Sequence, residues 1–208
     1  MLKVEAPSGA HTVLLHACCA PCSGAVLECL LGSGITPVVF FSNSNIYPRE
    51  EYDLRLSELQ RYTSRLGVEL VADEYDHAAW LEAVRGLERE PERGRRCAEC
   101  FRFRLARSAR YAASRGLPVL ATTLASSRWK DLDQVNAAGE SACASVGCSD
   151  PSRQSERSEV PFGSFSVAFW PQNWRKGGLQ PRRDEIIREQ GFYNQDWCGC
   201  EFSKRQTL

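Results

Sequence analysis

The stretch Thr12-Val13-Leu14-Leu15-His16-Ala17-Cys18-Cys19-Ala20-Pro21-Cys22 decides how the chain is read. A short apolar run of this length has the pattern of a buried strand, and it leads directly into two adjacent cysteines. Neighbouring side chains of an extended backbone point to opposite faces. Both thiols therefore meet one ligand only if the strand ends and the chain turns between them. Pro21 and Gly24 permit that turn, and Ala25 to Leu31 reads as the helix that follows, ended by Gly32-Ser33-Gly34.

The same alternation continues outward. Pro37 to Phe41 is a second β-rich run, closed by Asn43, Ser44, Asn45 and Pro48. Between Glu50 and Leu66, the residues Tyr52, Leu56, Leu59, Tyr62 and Leu66 share one helical face. Val68 to Ala72 reads as a third strand, and Asp76 as the cap of a helix carrying Trp80, Leu81, Val84 and Leu87. Glu88 to Arg96 reads as a charged loop from which Cys97 emerges, before a helix from Phe101 to Ser114 and a fourth strand from Val119 to Thr123. Strand and helix in turn predict an α/β fold with a doubly wound parallel sheet, in a single domain over residues 1–208. Ligands of such sheets sit outside the carboxyl ends of the strands. Cys18, Cys19, Asn43, Thr122, Thr123 and Ser126 all fall at that edge. Residues 148–166 read as a flexible loop or insertion, and Pro181 to Gln190 as a helix before an irregular C-terminal extension carrying Cys198-Gly199-Cys200.

At 208 residues and 43% hydrophobic, the chain can bury a core without disulfide staples. Acidic and basic residues balance at 26 each, but 22 of the basic ones are Arg, the side chain best shaped for phosphate. No stretch has the length of a membrane span, and the first residues lack the charged and long apolar parts of a leader. A cytoplasmic location is expected. There thiols stay reduced, and clustered cysteines carry metal or redox chemistry.

Six of the ten cysteines form three clusters: Cys18-Cys19, Cys97-x-x-Cys100 and Cys198-Gly199-Cys200. The first two offer four soft thiolates, a set that selects iron–sulfur or zinc. An adjacent pair is unusual for zinc, which favours iron. Cys22 is a further thiolate for a second metal or a resolving thiol. Cys198 and Cys200, one residue apart, form only a strained and readily reduced disulfide, which suits a dithiol that delivers two electrons. His16 is a ligand, a proton donor or a hydrogen-bonded strand-end residue, and Asp76 a proton donor or a cap. Cys29 reads as core, and Cys143 with Cys148 as a surface pair without catalytic role. No glycine-rich nucleotide motif is present, so electrons come from outside.

Several segments, taken in order, carry a family resemblance. They are His16-Ala-Cys18-Cys19-Ala-Pro-Cys22, Asn43-Ser-Asn45-Ile46-Tyr47-Pro48, Arg96-Cys97-x-x-Cys100-Phe101-Arg102-x-Arg104, Thr122-Thr123-Leu124 and Asp196-Trp197-Cys198-Gly199-Cys200. Together they closely resemble the cobalamin-independent epoxyqueuosine reductases, the QueH family. The resemblance implies a Rossmann-like fold similar to adenine-nucleotide-binding (HUP-type) domains. It implies reduction of the epoxide of epoxyqueuosine at the wobble position of tRNA, by electrons from an external low-potential donor and without cobalamin. It also implies a 4Fe–4S cluster held by Cys18, Cys19, Cys97 and Cys100, an adjacent mononuclear iron for which Cys22 is the candidate ligand, and a redox-active pair Cys198 and Cys200. Ser126-Ser127-Arg128-Trp129-Lys130 stands where the family carries Ser-Pro-x-Lys, and Arg175 and Lys176 fall on the substrate side, near tRNA phosphates. Two readings of other classes compete: an iron–sulfur disulfide or heterodisulfide reductase, and a zinc-stabilised RNA-binding module.

Overall fold

The protein is seen in a computed structural model that describes residues 2–147 and 166–203. The expected loop or insertion over 148–166 lies, but for its last residue, outside the described residues, and Cys148 lies outside them too. Five parallel strands form one sheet in the order β3-β2-β1-β4-β5: β1 (Thr12–His16), β2 (Thr36–Phe41), β3 (Leu70–Ala72), β4 (Val119–Thr122) and β5 (Ala168–Phe169). The order reverses beside β1, so the crevice between the ends of β1 and β4 is the topological switch point.

The two-residue side-chain period of the strands feeds two cores. Val13, Leu15, Val39 and Phe41 pack toward α1 (Ala20–Gly32), α2 (Arg49–Leu66) and α6 (Leu179–Gln190). Leu14, Val38, Phe40 and Leu120 pack toward α4 (Arg95–Ser114) and α5 (Leu132–Gly147). Apolar residues on both faces are what a sheet covered on both sides requires. The helix ends follow local chemistry. Pro21 stands in the first turn of α1. Gly67 ends α2 in the left-handed conformation, with Val68 N donating to Thr63 O at 2.9 Å. Asp131 caps α5 by accepting from Asp133 N and Gln134 N.

The structure amends the reading at α4, at α5 and at Cys143, among other places. Helix α4 begins at Arg95, before Cys97, because the polar residues ahead of it pair with one another: Arg95 grips Glu90, and buried Arg96 donates to the carbonyls of Glu88 and Glu90. Helix α5 was not foreseen, since its buried face of Val135, Ala138, Ala142 and Cys143 is made mostly of small residues. Cys143 is consequently a buried core residue and not part of a surface pair, with its thiol pushed up to about 12 by burial. Cys29 is core as expected.

The small face of α5 lets β5 approach closely: a Cβ at Gly139 would overlap the ring of Phe169. Gly139→Ala should therefore lose about 1–3 kcal/mol of stability through overpacking, measured by urea unfolding. An unchanged midpoint and slope would refute the close packing of α5 on β5.

Candidate active site

The carboxyl end of β1 is fixed by a buried polar network. His16 lies at the strand end with Nδ1 2.8 Å from Thr122 Oγ1 and Nε2 3.2 Å from the Ser42 carbonyl. The carbonyl only accepts, so Nε2 carries the hydrogen and Nδ1 accepts from the Thr122 hydroxyl, which in turn accepts from Leu124 N at 3.1 Å. Burial, aided by the nearby Arg104 cation, lowers the His16 pKa to about 3. His16 is thus a neutral clamp joining β1, β2 and β4; neither nitrogen is left for a metal, and the ring has no ready proton to give. One residue on, the Ala17 carbonyl accepts from Asn43 Nδ2 at 2.9 Å, and Asn43 Oδ1 is held by buried Arg104.

Cys18 N donates to Thr123 Oγ1 at 3.2 Å, which places the first thiol in the switch-point crevice. Cys19 is the extended residue before α1, and Ser23 Oγ donates to its carbonyl at 2.7 Å. This is the turn that two adjacent thiols need in order to converge. The sulfurs of Cys18 and Cys19 are 3.8 Å apart, and those of Cys18, Cys19 and Cys22 all lie within 4.8 Å of one another. Hydrogen bonds from Cys19 and then Cys22 hold the Cys18 thiol well below its ordinary range, with Lys130 and Arg104 adding to the effect. As the donors, Cys19 is driven up and Cys22 rises to about 11. One thiolate sharing the protons of two thiols is a soft donor set ready for a thiophilic metal.

Cys97 and Cys100 stand in the first two turns of α4. Arg93 N donates to Cys97 Sγ at 3.2 Å, and Cys97 packs against the apolar cluster that includes Cys18 and Cys19. Burial raises its thiol despite the helix N-terminus. Cys100 packs in a small cluster with Trp80, Val84 and Cys200. The close trio is therefore Cys18, Cys19 and Cys22, with the α4 pair beside it and not within the 4.8 Å group.

The C-terminal segment is latched down at several points. Tyr47 N donates to the Gly199 carbonyl at 2.9 Å, and Arg55, ion-paired to Glu51, donates to the carbonyls of Cys198 and Trp197. His77 bridges Ser44 O and Glu201 Oε1 at 2.7 and 2.8 Å, within a stack running from Tyr47 through Trp80 to Phe202. Gly199 has φ +94°, and a Cβ there would sit 2.9 Å from Ile46 Cγ1. The middle residue of Cys-Gly-Cys must therefore be glycine on both conformational and steric grounds. A hydrogen bond from Cys200 holds the Cys198 thiol well below its usual range, with Lys130 assisting, and drives Cys200 up.

Lys130 was given no role by the sequence. Burial opposes its charge, but the thiolates of Cys198 and Cys18 outweigh that and raise its pKa; its ammonium also lies 5.9 Å from the Phe101 ring centroid. No carboxylate pairs with it among the described residues. Arg55 was likewise missed as a support, and Arg104, although it stands in the Cys97-x-x-Cys100 motif segment, was given no role. Asp76 caps α3 (His77–Ala83), its Oδ1 accepting from Ala79 N at 2.9 Å. Arg175 donates to the Lys130 carbonyl at 2.8 Å, which makes it a brace for that loop, and Lys176 is exposed.

These features define a doubly wound α/β protein whose thiols gather at the switch point of the sheet. A family model described as epoxyqueuosine reductase QueH matches residues 13–206. Among curated proteins named Epoxyqueuosine reductase QueH, that of Histophilus somni is 40% identical over 205 residues, covering 99% of this chain and 77% of the relative. That of Haemophilus influenzae is also 40% identical over 205 residues (99% and 76%), and that of Thermotoga maritima 30% over 195 residues (92% and 90%). The chain belongs to the epoxyqueuosine reductase QueH family, a family of oxidoreductases. Among the described residues no helix is long and apolar enough to cross a membrane.

The His16 clamp has a pH signature. Its folded pKa is depressed to about 3 from the ordinary 6.5, so the unfolded chain binds a proton that the native state refuses. The stability it contributes is complete above 6.5 and drains as pH falls toward 3, by about 1.4 kcal/mol per pH unit. Urea unfolding between pH 7 and 5 should show that slope in the wild type and a flatter one in His16→Gln. Equal slopes would contradict a neutral buried imidazole.

Proposed function

We propose that this chain reduces the epoxide of epoxyqueuosine, at the wobble position of tRNA, to queuosine. The observation that carries the reading is the convergence of three cysteine motifs, distant in sequence, at one edge of the sheet, in a chain of this family. The overall change breaks both carbon–oxygen bonds of the epoxide, forms a carbon–carbon double bond and releases the oxygen as water. Two electrons and two protons are consumed. Closure of Cys198 and Cys200 to a disulfide yields both electrons and, with Cys198 ionised, the one proton of Cys200; the second proton comes from solvent, and an external low-potential donor reopens the disulfide.

The thiols and their cationic surroundings fit an iron–sulfur cluster. Cys18, Cys19, Cys97 and Cys100 would hold it as four thiolates, with Cys22 as the further thiolate for an adjacent iron, while Arg104 and Lys130 offset negative charge in a buried setting. When bound, such a cluster supplies single electrons at low potential. The hydrogen bond from Cys200, with Lys130 assisting, favours the Cys198 thiolate, and Cys200 retains its hydrogen until closure of the disulfide releases it to the departing oxygen. We assign Cys200 that role in place of Asp76, whose carboxylate is engaged at the α3 cap. Lys176 and the exposed arginines supply phosphate contacts, with the reaction located in the cytoplasm.

Two measurements test the reading. Anaerobically purified, cluster-loaded protein given a low-potential reductant and epoxyqueuosine-bearing RNA should yield a nucleoside lighter by one oxygen on mass analysis. An unchanged nucleoside beside a working control enzyme would sink the proposal. Replacing Cys198 and Cys200 together by Ser should leave the sulfur-to-iron visible absorption and abolish turnover, whereas Cys97→Ala should lose most of the iron and the colour. A colourless double variant would make Cys198 and Cys200 metal ligands instead.

A further inference from the structure

Trp129 leaves 84% of its surface in solvent, far more than any other large apolar side chain among the described residues. Indole in that state forgoes the burial that large aromatic side chains ordinarily obtain. The loop that presents it is nevertheless well braced. Ser126 Oγ donates to the Cys22 and Thr123 carbonyls at 3.1 and 2.8 Å, and Gln180 Nε2 donates to Ser126 O at 3.1 Å. Lys130 N donates to Ser127 O at 3.3 Å, Arg175 holds the Lys130 carbonyl, and Asp131 starts α5. The indole is thus held outward on a tied loop.

Its location gives that exposure a use. The next residue, Lys130, is directed inward toward Phe101 and the thiolates, and consecutive Cα atoms are only about 3.8 Å apart. Trp129 therefore stands at the rim of the cysteine site. Its neighbour Arg128 is exposed and makes no ion pair or hydrogen bond through its side chain among the described residues. Arg93 lies close enough to Arg175 for mutual repulsion, and Lys176 is exposed nearby in sequence. A protein partner that buried Trp129 would want apolar neighbours around it, but the adjoining side chains are Arg128, Lys130 and Asp131. An aromatic face beside unpaired cations is instead the combination that binds unstacked bases and their phosphates.

We propose that Trp129 is a stacking platform for an unpaired base adjoining the modified nucleotide of the substrate RNA, with Arg128 on the neighbouring phosphate. The inference rests on the RNA-substrate reading above and adds to it a residue that sets affinity for the anticodon loop. Stacking of this kind tolerates any base but needs one to be present.

The test uses the full cluster-loaded chain and a labelled anticodon stem-loop carrying epoxyqueuosine, followed by anisotropy. Trp129→Ala should weaken binding by about tenfold or more, with an unchanged dependence on salt, and Trp129→Phe should recover most of the loss. Arg128→Ala should lower the slope of log affinity against log salt by about 0.7, one single-strand phosphate contact. A hairpin with an abasic sugar beside the modified nucleotide should bind the wild type as weakly as Trp129→Ala binds the intact hairpin, and the variant should lose nothing more on it. If wild type binds and reduces the hairpin while Trp129→Ala binds it equally well, this inference fails and the reductase reading stands. The inference fails in the same way if the variant's only defect is in accepting electrons from a protein donor. If wild type binds no hairpin, both readings fall.

Discussion

Everything at this site depends on where β1 stops. A parallel strand entering a helix must leave the sheet within a few residues, and each backbone group it releases in the interior needs a new partner. Here Ala17 N reaches Phe40 O, the Ala17 carbonyl is taken by Asn43, and Cys18 N is taken by Thr123. Because these partners come from β2, from the loop after it and from the end of β4, the turn forms only in the assembled switch-point crevice. The adjacent thiols are then gathered with that of Cys22.

Charge is organised around that turn in a consistent way. Arg104 is buried with its guanidinium bound to backbone and amide oxygen, and Lys130 has thiolates for its counter-charge and no carboxylate partner among the described residues. Buried cations are tolerated where anions compensate them, so the thiolates and the cations each make the other admissible. The carboxylates are kept at the periphery: Glu51 with Arg55, Glu201 with His77, Asp73 with Arg107. The first two of these pairs hold the Cys-Gly-Cys segment against the domain, which makes a sequence-distant dithiol part of the same site.

Much of this was legible in the sequence because it is written in local patterns. The apolar run before Cys18 and the three- and four-residue spacing from Tyr52 to Leu66 each declare an element without tertiary context. The edge of the sheet that collects Cys18, Asn43 and Thr123 follows from strand direction alone. What escaped is what depends on partners. Helix α5 hides behind small residues, among them Gly139, which leaves room for Phe169, and the first turn of α4 hides behind charges that are satisfied by Glu88 and Glu90. Lys130 stood in the segment matched to the family's Ser-Pro-x-Lys without a role of its own, and its meaning came only from the nearby thiolates. Of the alternatives open for His16 and Asp76, the structure bears out the hydrogen-bonded strand-end residue and the helix cap.

The central claim is that the gathered thiols hold iron and sulfide next to a dithiol. Metal and acid-labile sulfide analysis of oxygen-free protein tests it most directly. Iron and sulfide in roughly equal amounts, at about four or more per chain, with no zinc, is the expected result. About one zinc per chain without sulfide, the composition of a structural thiolate site, would contradict it.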